Sequence, residues 1–232
     1  MTSPSHALTL PEELILLALD PDRGKPVCNA RDLAYGTAGA VLAELEIQGR
    51  IREEGGRVRV VNPLDPADPL LAALLRTLDP PAKGRRREIR ARHWVDDYNQ
   101  YAQDEYLDSM VERAVLSRET RRFLGVLPYH RHFPGVPDLA PDVLDRFAAA
   151  EAAGYPDHRD RVLAALASAI GLAGELTRLG RRGRTVMKVM RRSEWTAVAV
   201  HHNVKQNESG NGWSGGGGFG GGFGGGGDRD GD

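Results

Sequence analysis

Between Val162 and Ala173 the only polar residue is Ser168. Read as a helix, this stretch carries apolar or small side chains on every face, and a helix without a polar face must be covered on all sides. Its core of about 12 residues, bracketed by Arg161 and Glu175, is too short to span a bilayer, which takes ~20. Ala164, Ala165, Ala167, Ala169, Gly171, Ala173 and Gly174 allow neighbouring helices to approach closely. The expected fold is therefore mostly α: a single helical domain packed around a buried central helix, Arg161–Leu179.

The rest of the chain fits that frame. From Glu208 onward it is Gly-rich, with Phe219 and Phe223 between the glycines and Asp228, Asp230 and Asp232 at the end. Such a stretch buries too little surface to offset its ordering entropy. The expected division is a domain over residues 8–206 and a disordered tail over residues 207–232. Lys plus Arg number 31 against 32 for Asp plus Glu, so net charge announces no nucleic-acid or membrane partner. A lone cysteine, Cys28, excludes an internal disulfide framework. Residues 1–10 have neither a basic leader nor an apolar signal core, so the expected location is cytoplasmic.

Leu8-Thr9-Leu10-Pro11-Glu12-Glu13 opens a helix, with Thr9 as N-cap and the glutamates complementing the dipole. Further helices are expected over Ala30–Tyr35 and Thr37–Gln48, then a hairpin turning at Gly55-Gly56 between Arg50–Glu54 and Arg57–Val61. Leu70–Leu78 reads as a short amphipathic helix. The acidic helix that follows has Trp94, Tyr98, Tyr101, Leu107, Val111 and Leu116 at spacings suited to one buried face. Phe123–Phe133 is aromatic and interrupted by Pro128, a hairpin or a loop. Asp142–Ala153 and Glu194–Val204 are the remaining helices, the last with Trp195, Val198 and Ala199 turned inward.

No catalytic constellation emerges, and no cofactor or metal is expected. The pairs His130/His132 and His201/His202 lack the carboxylate or cysteine companions of a metal site. Two basic stretches stand out: Lys83–Arg92, including Arg85, Arg86 and Arg87, and Arg181–Arg192, including Arg181, Arg182 and Arg184. Each holds six cations, enough to attract phosphates or an anionic lipid surface at ~1 kcal/mol per charge. Leu8–Val61 also has the outline of a winged-helix DNA-binding module, three helices and a hairpin. Its recognition helix, Thr37–Gln48, would present Glu44 and Glu46 to DNA, so nucleic acid is the least favoured partner.

Five stretches in order resemble the Golgi phosphoprotein 3 family. They are Leu8–Leu19 (LTLPEELILLAL), Gly39–Arg50 (GAVLAELEIQGR), Val111–Leu116 (VERAVL), Asp157–Arg161 (DHRDR) and Glu194–Val198 (EWTAV). The wealth of Arg, Ala and Gly resembles high-GC bacterial coding, hence a bacterial-type member. The resemblance implies a helical domain around a buried central helix, and a non-enzymatic peripheral adaptor that binds phosphatidylinositol 4-phosphate. In eukaryotes such proteins help retain glycosyltransferases in the Golgi, a role with no counterpart in a bacterium.

The family's head-group pocket uses a tryptophan and three arginines. Matching the motifs puts the tryptophan at Cys28 or Asn29, one arginine at Ala38 and the other two at Gln100 and Gln103. None of these residues is a cation; Arg31 is the nearest candidate to compensate. Membrane binding is therefore expected to be diffuse and electrostatic, through the two basic stretches, at the cytoplasmic face of a membrane. The alternative is a soluble protein–protein adaptor that has lost lipid binding. The family's counterpart of Phe123–Phe133 is a hairpin implicated in self-association and membrane contact. Phe123, Leu127, Tyr129 and Phe133 are accordingly expected to protrude.

Overall fold

The structure, a computed structural model, describes residues 8–78, 89–123 and 127–211. The stretch holding Arg85, Arg86 and Arg87 lies outside the described residues, as does the expected tail from residue 212 on, while its residues 207–211 are helical instead, continuing the last helix. Helix α1 (Leu10–Ala18) starts at Thr9, whose N–H donates to the Glu12 carboxylate at 2.7 Å, one half of a capping box. Two short strands, β1 (Leu19–Asp20) and β2 (Lys25–Pro26), pair across a turn and lead into α2 (Ala30–Ile47).

Helix α2 corrects the expectation of two helices. Asn29 caps it by accepting the Arg31 N–H at 2.8 Å, and every residue from Asp32 to Leu45 is buried. That burial outweighs the ~1 kcal/mol propensity cost of each internal glycine. Gly39 is there for space: a Cβ on it would lie 2.3 Å from Val200 Cγ2. Of the segment expected as a recognition helix, Thr37–Leu45 is thus interior and has no free face for a DNA groove.

Strands β3 (Ile51–Glu54) and β4 (Arg57–Val60) form the expected hairpin, and β5 (Ile89–Arg90) adds to β4. Between them α3 (Pro69–Leu78) buries Leu71, Leu74, Leu75 and Leu78. Helix α4 (Ala91–Glu112) buries Trp94, Val95, Asn99, Ala102, Gln103, Tyr106 and Met110. The expected face is therefore corrected: Tyr101 is 49% exposed, and Tyr98, Leu107 and Val111 are half-buried. Packing against α2 takes the polar Asn99 and Gln103 inward, which hydropathy spacing does not anticipate.

Strands β6 (Leu116–Phe123) and β7 (Leu127–Pro134) form an antiparallel hairpin. It is a two-stranded sheet, so both strands are edges and Pro128 is tolerated. Helices α5 (Ala140–Ala152), α6 (His158–Ala169), α7 (Ala173–Leu176), α8 (Gly180–Ser193) and α9 (Trp195–Asn211) complete the domain. The expected central helix ends early, at Ala169, because Gly171 turns the backbone to φ 86° and is exposed. Val162–Ile170 and Leu172 are nevertheless buried. Helix α6 packs against α1, α2, α5, α8 and α9, while α2 packs against α1, α3, α4, α6 and α9. Two helices share the centre that one was expected to hold. In α9 the inward residues are Thr196, Ala197, Ala199, Val200, Asn203 and Val204. Val198 is 48% exposed and Trp195 half-buried, a rotation from the expected face.

Candidate functional site

Three glutamates lie almost wholly out of water: Glu12, Glu13 and Glu44 at 1%, 3% and 5% exposure. Charges so placed need partners, and each has one. Glu12 pairs with Arg113, Glu13 with Arg146, and Glu44 with Arg159 at 2.7 Å. Arg159 also reaches Glu13 at 3.5 Å and donates to the Leu8 carbonyl at 2.8 Å, while the Leu10 N–H donates to Glu44 at 2.9 Å. The Trp195 indole N–H donates to Glu46 at 2.6 Å. All but Arg146 come from the five stretches that carry the family resemblance, and every stretch contributes. Their side chains face one another in or near the interior, so their chemistry is that of holding α1, α2, α6 and α9 together.

Ligand chemistry has to come from elsewhere. A cleft of ≈ 300 Å³ opens between the β1–β2 turn, the start of α2, the middle of α4 and strand β7. Gln100 and Gln103 line it, as the family positions imply. Gln100 donates to Asp104 at 2.8 Å, and Gln103 is buried. Cys28, Asn29, Ala38 and Arg31 are not among the residues that line it. Asn29 is used as the cap of α2, and Ala38 is wholly buried within that helix. Burial, then Asp32, pushes the half-buried Cys28 thiol up to about 12. Arg31 donates to the Tyr35 hydroxyl at 3.2 Å, which donates in turn to Asp96 at 3.3 Å.

The cleft takes its positive charge from Lys25 and Arg131. Sequence reasoning missed both. Lys25 sits in a two-residue strand, and Arg131 reaches the site only because the hairpin folds back. There the His132 N–H donates to the Gly24 carbonyl at 3.0 Å, and Arg131 donates to the Arg23 carbonyl at 3.1 Å. Phe133 closes on Gly24, where a Cβ would lie 2.7 Å from its ring. The alternation of His130, Arg131 and His132 along an edge strand was the available signal.

Phe133 is thus half-buried against its own domain rather than protruding, and Tyr129 lines the cleft beneath Arg131, whose guanidinium lies 5.2 Å from its ring. The side chains of Phe123 and Leu127 lie outside the described residues. Arg131 Nε and His132 Nε2 are buried without hydrogen-bond partners. Burial, with Arg118 and His130 nearby, pushes the His132 pKa down, so its imidazole is neutral at pH 7. Arg181, Arg182 and Arg184 lie exposed on α8. Among the described residues no group of His, Cys, Asp and Glu is placed to hold a metal, and no helix is long and apolar enough to cross a membrane.

No curated protein matches this chain. The family model described as Golgi phosphoprotein 3 (GPP34) matches residues 10–206, from the first turn of α1 into α9. That span takes in the buried glutamate–arginine pairs and the whole cleft, and the chain belongs to the Golgi phosphoprotein 3 family.

Proposed function

We propose that this protein is a non-catalytic adaptor that docks peripherally on an anionic membrane surface. A lipid phosphate enters the cleft between the β1–β2 turn, α4 and β7. One observation carries this reading: Lys25 and Arg131 line the same cleft as Gln100 and Gln103, the two positions where the family has arginines. The cleft is recharged from other elements, and Arg131 Nε and His132 Nε2 are donors or acceptors still unused.

The recharging is partial. Charge-assisted hydrogen bonds contribute ~1.5–3 kcal/mol each, and two cations with Asp104 beside them replace three arginines. Attraction to any anionic head group survives, while selection of one phosphate position is lost. The test is vesicle flotation across a salt series, with phosphatidylinositol 4-phosphate and phosphatidylserine at matched charge. Binding should be equal for the two lipids, should fall in Lys25→Ala/Arg131→Ala, and should collapse as the Debye length shrinks from ~10 Å at 0.1 M to ~3 Å at 1 M. Salt-resistant preference for the phosphoinositide would contradict it. The second reading, a soluble protein–protein adaptor, is favoured by the bond that engages Gln100 with Asp104. Failure to float with either lipid would establish that reading instead.

A further inference from the structure

The two basic stretches of the sequence end against each other. Arg90 and Arg92, from the first stretch, and Arg192, from the second, line one cleft of ≈ 640 Å³ together with Arg57. Its walls are the tip of the β3–β4 hairpin, the first turn of α4 and the junction of α8 with α9. We propose that this cleft binds a group carrying two or more phosphates.

Arg90, Arg92 and Arg192 line the cleft, and among the described lining residues the one carboxylate is Glu53. Glu53 also accepts the Gly56 N–H within its own hairpin turn. Among the described residues neither Arg90 nor Arg192 has a carboxylate partner, and Arg92 Nη1 sits 3.4 Å from an imidazole nitrogen, His202 Nε2. Like charges gathered along one cleft repel one another, and a polyanion bound there relieves the repulsion while gaining bidentate bonds. The positive end of the 22-residue α4 dipole stands at the same wall. Trp195, Val198 and Ala199 give the cleft an apolar side against which the organic part of a ligand can lie. The volume is that of a small-molecule site, ~300–1,000 Å³, and suits one head group or one free polyphosphate. None of its lining residues belongs to the cleft of Lys25 and Arg131, so the two sites are separable by mutation.

The experiment is calorimetric titration of the full chain with inorganic tripolyphosphate at 0.15 M salt. A site is expected that is weakened at least tenfold in Arg92→Gln/Arg192→Gln and unchanged in Arg178→Gln, an exposed arginine that lines neither cleft. Melting curves check that each variant is folded. Should the double variant not fold, the single change of the exposed Arg90→Gln replaces it, with a smaller loss expected. A parallel sedimentation with phosphatidylcholine vesicles containing phosphatidylinositol 4,5-bisphosphate separates the sources of the phosphates. Capture that depends on Arg92 and Arg192 identifies a lipid head group, and tripolyphosphate binding without such capture identifies a soluble ligand. The proposal is overturned if tripolyphosphate does not bind, if the folded cleft variants bind it normally, or if Arg178→Gln loses it equally.

Discussion

Arg113, Arg146 and Arg159 each reach a glutamate almost out of water, whereas Arg90 and Arg192 line a cleft without a carboxylate partner among the described residues. The same side chain serves opposite ends. In the first group the charges are satisfied within the protein, so removing Arg113 or Arg159 strips a buried glutamate of its arginine. In the second no described carboxylate depends on them, so removing one should cost the fold little. The stretches that mark the chain's family most clearly feed the first group. Motif strength here reports what holds the domain together, and the arginines of the proposed site lie outside the five family stretches.

The largest effect should come from the core that surrounds the first group. Leu166 is fully buried, and Leu166→Asp would place an unpaired charge there, a cost comparable to the ~5–15 kcal/mol that stabilises a whole domain. No cooperative melt should be recoverable; a soluble, cooperatively melting variant would show that the core lies elsewhere. Next is Glu44→Ala, which strips Arg159 and the Leu10 N–H of their shared acceptor. A loss of about 3 kcal/mol in urea unfolding is expected. Glu44→Gln should lose less, since it still offers an oxygen to Leu10.

A smaller effect depends on pH. The His132 pKa is lowered by burial, by Arg118 and by His130, with Asp108 and Asp104 pulling the other way. The unfolded chain therefore takes up the proton first as pH falls. The stability contributed by neutral His132 is full above about 6.5 and is lost as pH drops through the folded value. His132→Gln should flatten the fall in melting temperature between pH 7 and pH 5, and an unchanged slope would remove His132 from the account. Smallest of all is Arg192→Gln, an exposed residue without a carboxylate partner among the described residues. Its stability should stay within about 0.5 kcal/mol of the parent. A loss as large as that of Glu44→Ala would erase the distinction between the two groups.

Much of the architecture was legible because local chemistry and tertiary packing agree. Thr9 and Glu12 mark the start of α1, Gly55-Gly56 marks the hairpin turn, and the apolar run after Arg161 is buried. Misreadings arose where packing overrides pattern. Asn99 and Gln103 face inward on α4 while Tyr101 faces out, and Gly36 and Gly39 sit inside a helix because α6 and α9 need the room. The sites were less legible. Gln100 and Gln103 were named only through the family resemblance, and Lys25 and Arg131 meet through the fold-back of β7 onto the β1–β2 turn. Arg92 and Arg192 lie a hundred residues apart, and no local signal joins them.

The division of labour between the two groups of arginines is tested most directly by measuring stability and tripolyphosphate affinity on the same two variants. Arg159→Lys keeps the charge but not the fork that spans Glu44, Glu13 and the Leu8 carbonyl. It should lower the urea midpoint and leave tripolyphosphate affinity intact in the folded protein, while Arg92→Gln/Arg192→Gln should do the reverse. Weakened binding in Arg159→Lys at unchanged midpoint, or a lowered midpoint with intact binding in the cleft variant, would contradict the account.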